Sequence, residues 1–224
     1  MIGDMPKRDP LTRDRVLRGA VTLADARGIA ALTIRSLADG LGVKPMAVYH
    51  HVASKEEILD GIVDLVFGEI GAGIEPPAPA DGWRDQVRRR AASARDVLRR
   101  HPWAVPLLES RTAPGAATLR HHDTTLAVLR RAGFPVALAA NAYALLDSYV
   151  YGFVIQEAAL PSDDPGGATA DIMGSFRPDE YPHLVEMAVE HIMKPGYTFG
   201  AGFHFGLDLI LDGLEQALKR VAPP

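Results

Sequence analysis

The sequence contains no cysteine, which excludes disulfide bonds, zinc-thiolate sites and thiol catalysis and fits a reducing compartment. The first residues have no apolar core of the kind that a signal peptide needs, and no uninterrupted apolar run approaches the length of a membrane span. Internal repeats and low-complexity runs are also absent. We therefore expect a soluble cytoplasmic protein with no membrane partner.

Hydrophobic residues make up 47% of the 224 positions and charged residues 23%, so the chain can bury a full core. The net charge of −4 is unevenly distributed. Through Lys55 there are nine Lys and Arg against five Asp and Glu, a balance of +4, and the remainder carries fifteen against twenty-three, a balance of −8. A basic N-terminal part suits contact with phosphates, and an acidic remainder opposes non-specific adhesion to nucleic acid.

Apolar residues recur at helical spacing along the chain, which predicts an all-α protein. Residues 1–70 are expected to form a small N-terminal domain with three helices and the start of a long fourth, preceded by a flexible arm at residues 1–10. Prolines and glycines in residues 71–82 mark the boundary, because they interrupt a helix. Residues 71–224 are expected to form a larger all-helical domain.

The larger domain shows six predicted helices, at residues 83–100, 103–109, 116–132, 135–159, 179–191 and 198–221. Residues 161–178 lie between two of them and are predicted to be a loop that is disordered or acts as a lid. The first of these helices has an arginine-rich outer face, which we expect to be solvated.

The stretch from Thr33 to Lys55 carries the most specific signal in the N-terminal part. Thr33 is a good N-cap for a short helix, and Gly42 allows the left-handed backbone of a tight turn. A second helix is predicted to begin near Pro45 and to run to about Val52. Two helices that cross steeply need a small residue at the crossing and a branched apolar residue on the second helix. Ala38 and Val48 occupy these two positions, so the spacing predicts a helix-turn-helix.

The outer face of the second helix combines one cation, two apolar groups, a phenol and an imidazole: Lys44, Met46, Ala47, Tyr49 and His50. Such a face suits the major groove of DNA, where apolar groups contact thymine methyls and polar groups reach base edges and phosphates. The alternative is that a small helical domain shows this spacing by chance.

Three neighbouring motifs favour a DNA-binding helix-turn-helix over a chance spacing: Leu-Thr-Ile-Arg-Ser-Leu-Ala, Gly-Val-Lys-Pro-Met-Ala-Val-Tyr-His-His-Val and Ser-Lys-Glu-Glu-Ile-Leu-Asp. Together they resemble the DNA-binding domain of the tetracycline-repressor (TetR) family of transcriptional regulators, over residues 11–70. The residues Gly82-Trp83-Arg84-Asp85 resemble the start of the core domain of the same family, and the last helix resembles the closing helix of that domain. The resemblance therefore extends over nearly the whole chain.

The resemblance implies a repressor that binds a palindromic DNA operator as a homodimer and releases it when a small molecule binds the core domain. The implied DNA contacts are Thr33, Arg35, Lys44, Met46, Ala47, Tyr49, His50 and Lys55. Pro45 and Met46 stand where related repressors have a base-reading polar side chain, so the operator of a relative does not transfer to this chain. No cofactor and no metal are expected.

The candidate effector-binding residues are Trp103, Arg111, His121, His122, Tyr143, Asp147, Tyr151 and Gln156. Three of them recur every four residues and share one face of a buried helix. Each aromatic residue could instead belong to the core, and Asp147 could make a plain structural hydrogen bond. Leu107, Ser148 and Gln156 replace residues that hold magnesium and drug in the tetracycline repressors. We therefore expect an apolar, aromatic or polycyclic effector.

The last helix has a wide apolar stripe with small residues between its members, which suits a helical bundle between two subunits. The expected dimer contacts are Tyr149, Phe203, Leu207, Ile210, Leu211 and Leu214. The alternative is an intrachain core helix.

Two other functions compete with that of a ligand-responsive repressor. One is an all-helical hydrolase that uses His121 or His122 with Asp123, but adjacent histidines point to different sides of a helix and the usual hydrolase and nucleotide-binding motifs are absent. We therefore expect no enzyme activity. The other rival is a DNA-binding dimer without small-molecule control.

Overall fold

A computed structural model describes residues 10–72, 74, 82–108, 110–160 and 179–221, and its regular elements there are all helical. The all-α prediction is therefore confirmed. The α-helices are α1 (Arg13–Arg27), α2 (Ile34–Leu41), α3 (Pro45–Tyr49), α4 (Lys55–Ala72), α5 (Trp83–Arg100), α6 (Val105–Leu108), α7 (Ala116–Arg131), α8 (Val136–Ala159), α9 (Pro182–Met187) and α10 (Gly202–Val221). The predicted arm and the predicted loop at 161–178 lie outside the described residues, except for Pro10.

The chain forms two compact units. Unit 1 comprises Met1–Glu75 and Asp96–Thr124, and unit 2 comprises Pro76–Arg95 and Thr125–Pro224. Unit 1 thus contains the predicted helix-turn-helix domain together with a later stretch of the chain. A functional domain boundary near residue 70 stays a prediction.

The helix-turn-helix forms from local signals in unit 1. The hydroxyl of Thr33 accepts a hydrogen bond from the Ser36 N–H, and the Ser36 hydroxyl accepts one from the Thr33 N–H, so α2 begins with a reciprocal capping box. Gly42 ends α2 in the left-handed conformation, with φ 67° and ψ 34°. Ala38 and Val48 are fully buried at the crossing. The second helix is shorter than expected and ends at Tyr49 rather than Val52.

Two glycines of this motif have opposite requirements, which gives a matched test. Gly42 needs a positive φ, so Gly42→Ala should lower the free energy of unfolding by about 1 kcal/mol. Gly40 lies within α2 with no atom near the position of an added Cβ. Gly40→Ala should therefore raise the free energy of unfolding by up to about 1 kcal/mol, through helix propensity. Urea denaturation checks both, and equal signs for the two variants would contradict this account of the turn.

The start of α4 is capped by two hydrogen bonds that involve Glu57. The Glu57 N–H donates to the Ser54 hydroxyl at 3.1 Å. The Glu57 carboxylate accepts from the Ala53 N–H at 2.7 Å, which is one residue before Ser54. The capping therefore reaches back into the turn that follows α3.

In unit 2, α8 packs against α10 around a core that includes Phe203, Leu207 and Leu211.

The arginines of α5 are not merely solvated, which corrects the prediction for that face. Arg88 pairs with Asp208 at 2.8 Å, Arg84 pairs with Asp212, and Arg95 pairs with Glu157. The partners lie on α10 and α8, so these ion pairs join α5 to both helices.

One described helix, α8, is long and apolar enough to cross a membrane by length and composition alone. A core helix of a soluble protein passes the same test, so this is weak evidence. In this chain α8 packs against another helix of its own unit.

Candidate functional site

The outer face of α3 is the centre of the predicted DNA contacts. Met46 is 67% exposed and Tyr49 is 45% exposed, although both have large side chains of partly apolar character. His50 is exposed in the turn after α3, and Lys44 is exposed at the N-cap. Ala47 is half-buried beside them. The buried side of α3 is anchored by Val48, so the exposed side chains form a fixed protrusion from unit 1.

The remaining predicted contacts lie at the starts of two other helices of unit 1. Thr33 is the N-cap of α2, Arg35 is its exposed second residue, and Lys55 is the exposed first residue of α4. Helix starts present unpaired N–H groups and attract anions, and the two cations add to that field. All eight predicted DNA contacts thus belong to the helix-turn-helix and its flanking helix starts, and contact with DNA stays a prediction.

Glu57 is not among the predicted DNA contacts, but its carboxylate connects two segments of unit 1. Its carboxylate accepts from the Arg13 guanidinium at 3.1 Å as well as from the Ala53 N–H. The Ala53 N–H, and after it the Arg13 side chain, lower the pKa of Glu57 below its ordinary value. Glu57 is therefore ionised at neutral pH and connects α1 to the turn after α3.

Four of the eight candidate effector residues lie in unit 1, and each has a packing role there. Trp103 is buried, and its indole N–H donates to the Asp25 carboxylate at 2.6 Å. The same carboxylate lies 2.7 Å from Nδ1 of the buried His101, whose Nε2 is 3.3 Å from Glu69. This cluster ties α1 and α4 to the segment after α5. The sequence offered no signal for it, because its members are 76 and 32 residues apart.

Arg111, His121 and His122 also contact α4. Arg111 donates to Glu56 at 2.6 Å and lies 3.4 Å from Asp60. The rings of His121 and His122 both lie against Phe67, with centroid distances of 5.1 and 5.3 Å. All three side chains thus have packing or ionic partners on α4, and effector contact stays a prediction.

The other four candidates lie on α8 in unit 2. Tyr143, Asp147 and Tyr151 are half-buried along one face, as their spacing predicted, and Gln156 is exposed. Each of the first three makes an interaction within the protein. Effector contact by these four residues stays a prediction.

The predicted dimer residues lie on α8 and α10 and form a buried group and a half-buried group. Phe203, Leu207, Leu211 and Leu214 are buried within the single chain, where they form the core of unit 2. Tyr149 donates to the Phe203 carbonyl at 2.8 Å, and burial raises the pKa of its phenol. Tyr149 and Ile210 are half-buried. The four buried residues and Tyr149 thus have partners within the chain.

A second apolar stripe on α10 was missed. Phe205 is 70% exposed and Leu209 is 57% exposed, four residues apart on the solvent side of α10. Leu145 and Ile155 are exposed on α8, which packs against α10. The four-residue spacing of Phe205 and Leu209 was visible in the sequence, but the stronger stripe beginning at Phe203 concealed it. The exposed apolar residues of these two packed helices are together called the exposed bundle face: Leu145, Ile155, Phe205 and Leu209.

The described part of the chain contains no group of three or more His, Asp or Glu side chains that could hold a metal ion.

Two family models match the chain. Residues 16–62 match the model described as bacterial regulatory proteins of the tetR family, and residues 75–218 match the one described as tetracyclin repressor-like, C-terminal domain. The second match alone covers more than half of the chain.

Individual proteins agree with these matches. An HTH-type transcriptional regulator of Saccharopolyspora erythraea is 35% identical over 78% of this chain and 73% of its own length. The class A tetracycline repressor of transposon 1721 from Escherichia coli is 30% identical over 95% of this chain and 93% of its own. Among solved structures, ActR of Streptomyces coelicolor in complex with actinorhodin superposes with a TM-score of 0.77 at 28% identity, covering 93% of this chain and 97% of that one.

Proposed function

Because the chain belongs to the tetracycline-repressor family of transcriptional regulators, we propose that it is a cytoplasmic repressor that binds a palindromic operator as a homodimer and releases it on binding a small molecule. The observation that carries the proposal is the exposed outer face of α3, where large apolar and aromatic side chains project from a helix whose other side is buried. A soluble domain seldom exposes such side chains together unless they bind a partner. Between Lys44 at its start and Lys55 beyond its end, that face suits a major groove flanked by phosphates.

Homodimerisation follows from the same reasoning about exposed apolar surface. A helix-turn-helix dimer presents two recognition helices about 34–36 Å apart, one turn of DNA, and so reads an inverted repeat. The exposed bundle face supplies apolar area that a second copy would cover. A four-helix bundle made of α8 and α10 from each subunit is the simplest symmetric arrangement.

The effector is proposed to be an apolar polycyclic or aromatic molecule. ActR, at 28% identity, has been crystallised with actinorhodin, and a class A repressor at 30% identity is named for tetracycline. Leu107 is a hydrocarbon side chain, and Ser148 and Gln156 are neutral, so these positions offer weaker metal ligands than histidine and glutamate. Release requires that the effector bind the state that does not bind DNA more tightly, typically by about 1 to 3 kcal/mol of coupling.

Selection of operators from random duplex DNA tests the DNA half of this proposal. We expect enrichment of an inverted repeat at near-physiological salt. Tyr49→Ala should weaken binding to the selected sequence at least about tenfold and binding to random DNA little, because base contacts carry the sequence preference. Tyr181→Ala, which removes an exposed tyrosine outside the motif, is the matched control. No enriched repeat, or equal losses in the two variants, would refute the assignment.

The effector half is tested by adding polycyclic aromatic compounds to the protein-operator complex. Release of DNA together with a raised melting temperature of the free protein supports the proposal. If a broad panel of such compounds changes neither quantity while the operator still binds, the protein is a DNA-binding dimer without this control.

A further inference from the structure

We propose that Glu57 is a positioning residue for DNA binding, which fixes the distance between the recognition helix α3 and the phosphate-binding start of α4. This inference rests on the proposed function. It concerns a side chain that is not among the expected DNA contacts and whose negative charge would by itself oppose binding.

Glu57 joins three segments of unit 1. Its carboxylate accepts from the Ala53 N–H at 2.7 Å and from Nε of Arg13 on α1 at 3.1 Å. Its own N–H donates to the Ser54 hydroxyl at 3.1 Å. One side chain thus connects the start of α1, the turn after α3 and the first turn of α4.

The turn that Glu57 holds lies between the two groups of expected DNA contacts. The N–H groups of His51 and Val52 both donate to the Val48 carbonyl, at 3.0 and 3.2 Å. The next N–H, that of Ala53, is past the reach of α3 and is taken by Glu57 instead. Since the chain reaches Lys55 two residues later, the placement of Lys55 relative to α3 depends on this bond.

The direction in which DNA affinity changes distinguishes a positioning role of Glu57 from a purely electrostatic one. A carboxylate near the DNA repels phosphates, so neutralising it should strengthen binding if charge were its only contribution. If Glu57 instead holds Lys55 in place, removal of the Glu57 carboxylate should weaken DNA binding. The conformational entropy lost in ordering the turn would then oppose the contact between Lys55 and a phosphate.

The test compares Glu57→Gln and Glu57→Ala with Asp39→Asn, which removes one negative charge from an exposed position on α2. Glutamine keeps an acceptor for Ala53 and loses the ionic partner of Arg13, whereas alanine loses both. We expect operator affinity to fall about threefold for Glu57→Gln and about tenfold for Glu57→Ala, while Asp39→Asn leaves it equal or higher. The slope of log affinity against log salt should decrease by about 1 in Glu57→Ala, as for loss of one phosphate contact.

A double-mutant cycle with Lys55→Ala completes the test. The variant with both changes should bind about as well as Lys55→Ala alone, because both changes remove the same phosphate contact. Affinity equal to or above wild type in the Glu57 variants, an unchanged salt slope, or full additivity with Lys55→Ala would each overturn the proposal. Circular dichroism of the Glu57→Gln variant verifies that the fold is retained.

A measurement without DNA separates this inference from the proposed function. Amide hydrogen exchange at Ala53 should be faster in Glu57→Ala than in wild type, and unchanged exchange overturns the positioning role even if an operator is found. If the wild type selects no operator, the proposed function and the DNA role of Glu57 both fail, whereas faster exchange would still show that the carboxylate holds the turn.

Discussion

Replacement of Phe205 by glutamate is expected to leave the protein monomeric and to lower operator affinity at least about a hundredfold. Phe205 is the most exposed large apolar side chain on α10, at 70%, and Leu209 follows it one turn later. In the proposed bundle both would be covered by the second subunit. A carboxylate at that position would be buried without a partner, and the free-energy cost of burying an unpaired charge would oppose dimerisation.

The loss of DNA binding follows from avidity rather than from any change at α3. A dimer binds its second half-site as an intramolecular step, and this advantage disappears in a monomer. Light scattering coupled to size-exclusion chromatography measures the mass, and Leu119→Glu, at an exposed leucine of unit 1, is the control that should remain dimeric. A dimeric Phe205→Glu protein would show that the exposed bundle face is not the interface.

Glu157→Ala is expected to lower the free energy of unfolding by about 3 to 5 kcal/mol. Arg95 and Glu157 are 12% and 15% exposed in their side chains and lie 2.6 Å apart. The guanidinium also lies over the rings of Phe153 and Phe203, at 5.2 and 4.9 Å from their centroids. Removing the carboxylate therefore leaves a charge that is nearly out of water and has lost its counter-ion.

A surface pair of the same unit is the matched control. Glu190 and Lys194 are 3.1 Å apart, and both are largely exposed. Glu190→Ala should cost no more than about 0.5 kcal/mol, because exposed pairs contribute little. Urea denaturation measures the free energy of unfolding of both variants. The double variant Arg95→Met with Glu157→Leu should recover much of the stability lost in Glu157→Ala, since it removes both charges together. Equal small losses in Glu157→Ala and Glu190→Ala would contradict the account.

The sequence predicted the features that depend on neighbouring residues. Thr33 begins α2 and Gly42 ends it, because capping and a positive φ are local requirements. The end of α3 at Tyr49 was predicted three residues too late. It depends on the burial of Val52 and on the bond from Ala53 to Glu57, which no periodicity within α3 reveals.

The features that depend on distant partners were not predictable. The arginines of α5 read as a solvated face, because Asp208 and Glu157 lie 120 and 62 residues away from their partners. In α10, two apolar stripes are present, and nothing in their spacing says which one faces the chain's own core. Trp103 has a structural role through its bond to Asp25, and that partner lies 78 residues away in the sequence.

The two tryptophans of the chain fall in different compact units. Trp103 in unit 1 lies beside His101 at a centroid distance of 5.9 Å, whereas Trp83 in unit 2 lies edge-on to Phe134 at 5.0 Å. Each unit therefore carries one intrinsic fluorophore. With the other indole replaced by phenylalanine, emission from either one follows its own unit, so the order in which the two units melt can be recorded without any attached label.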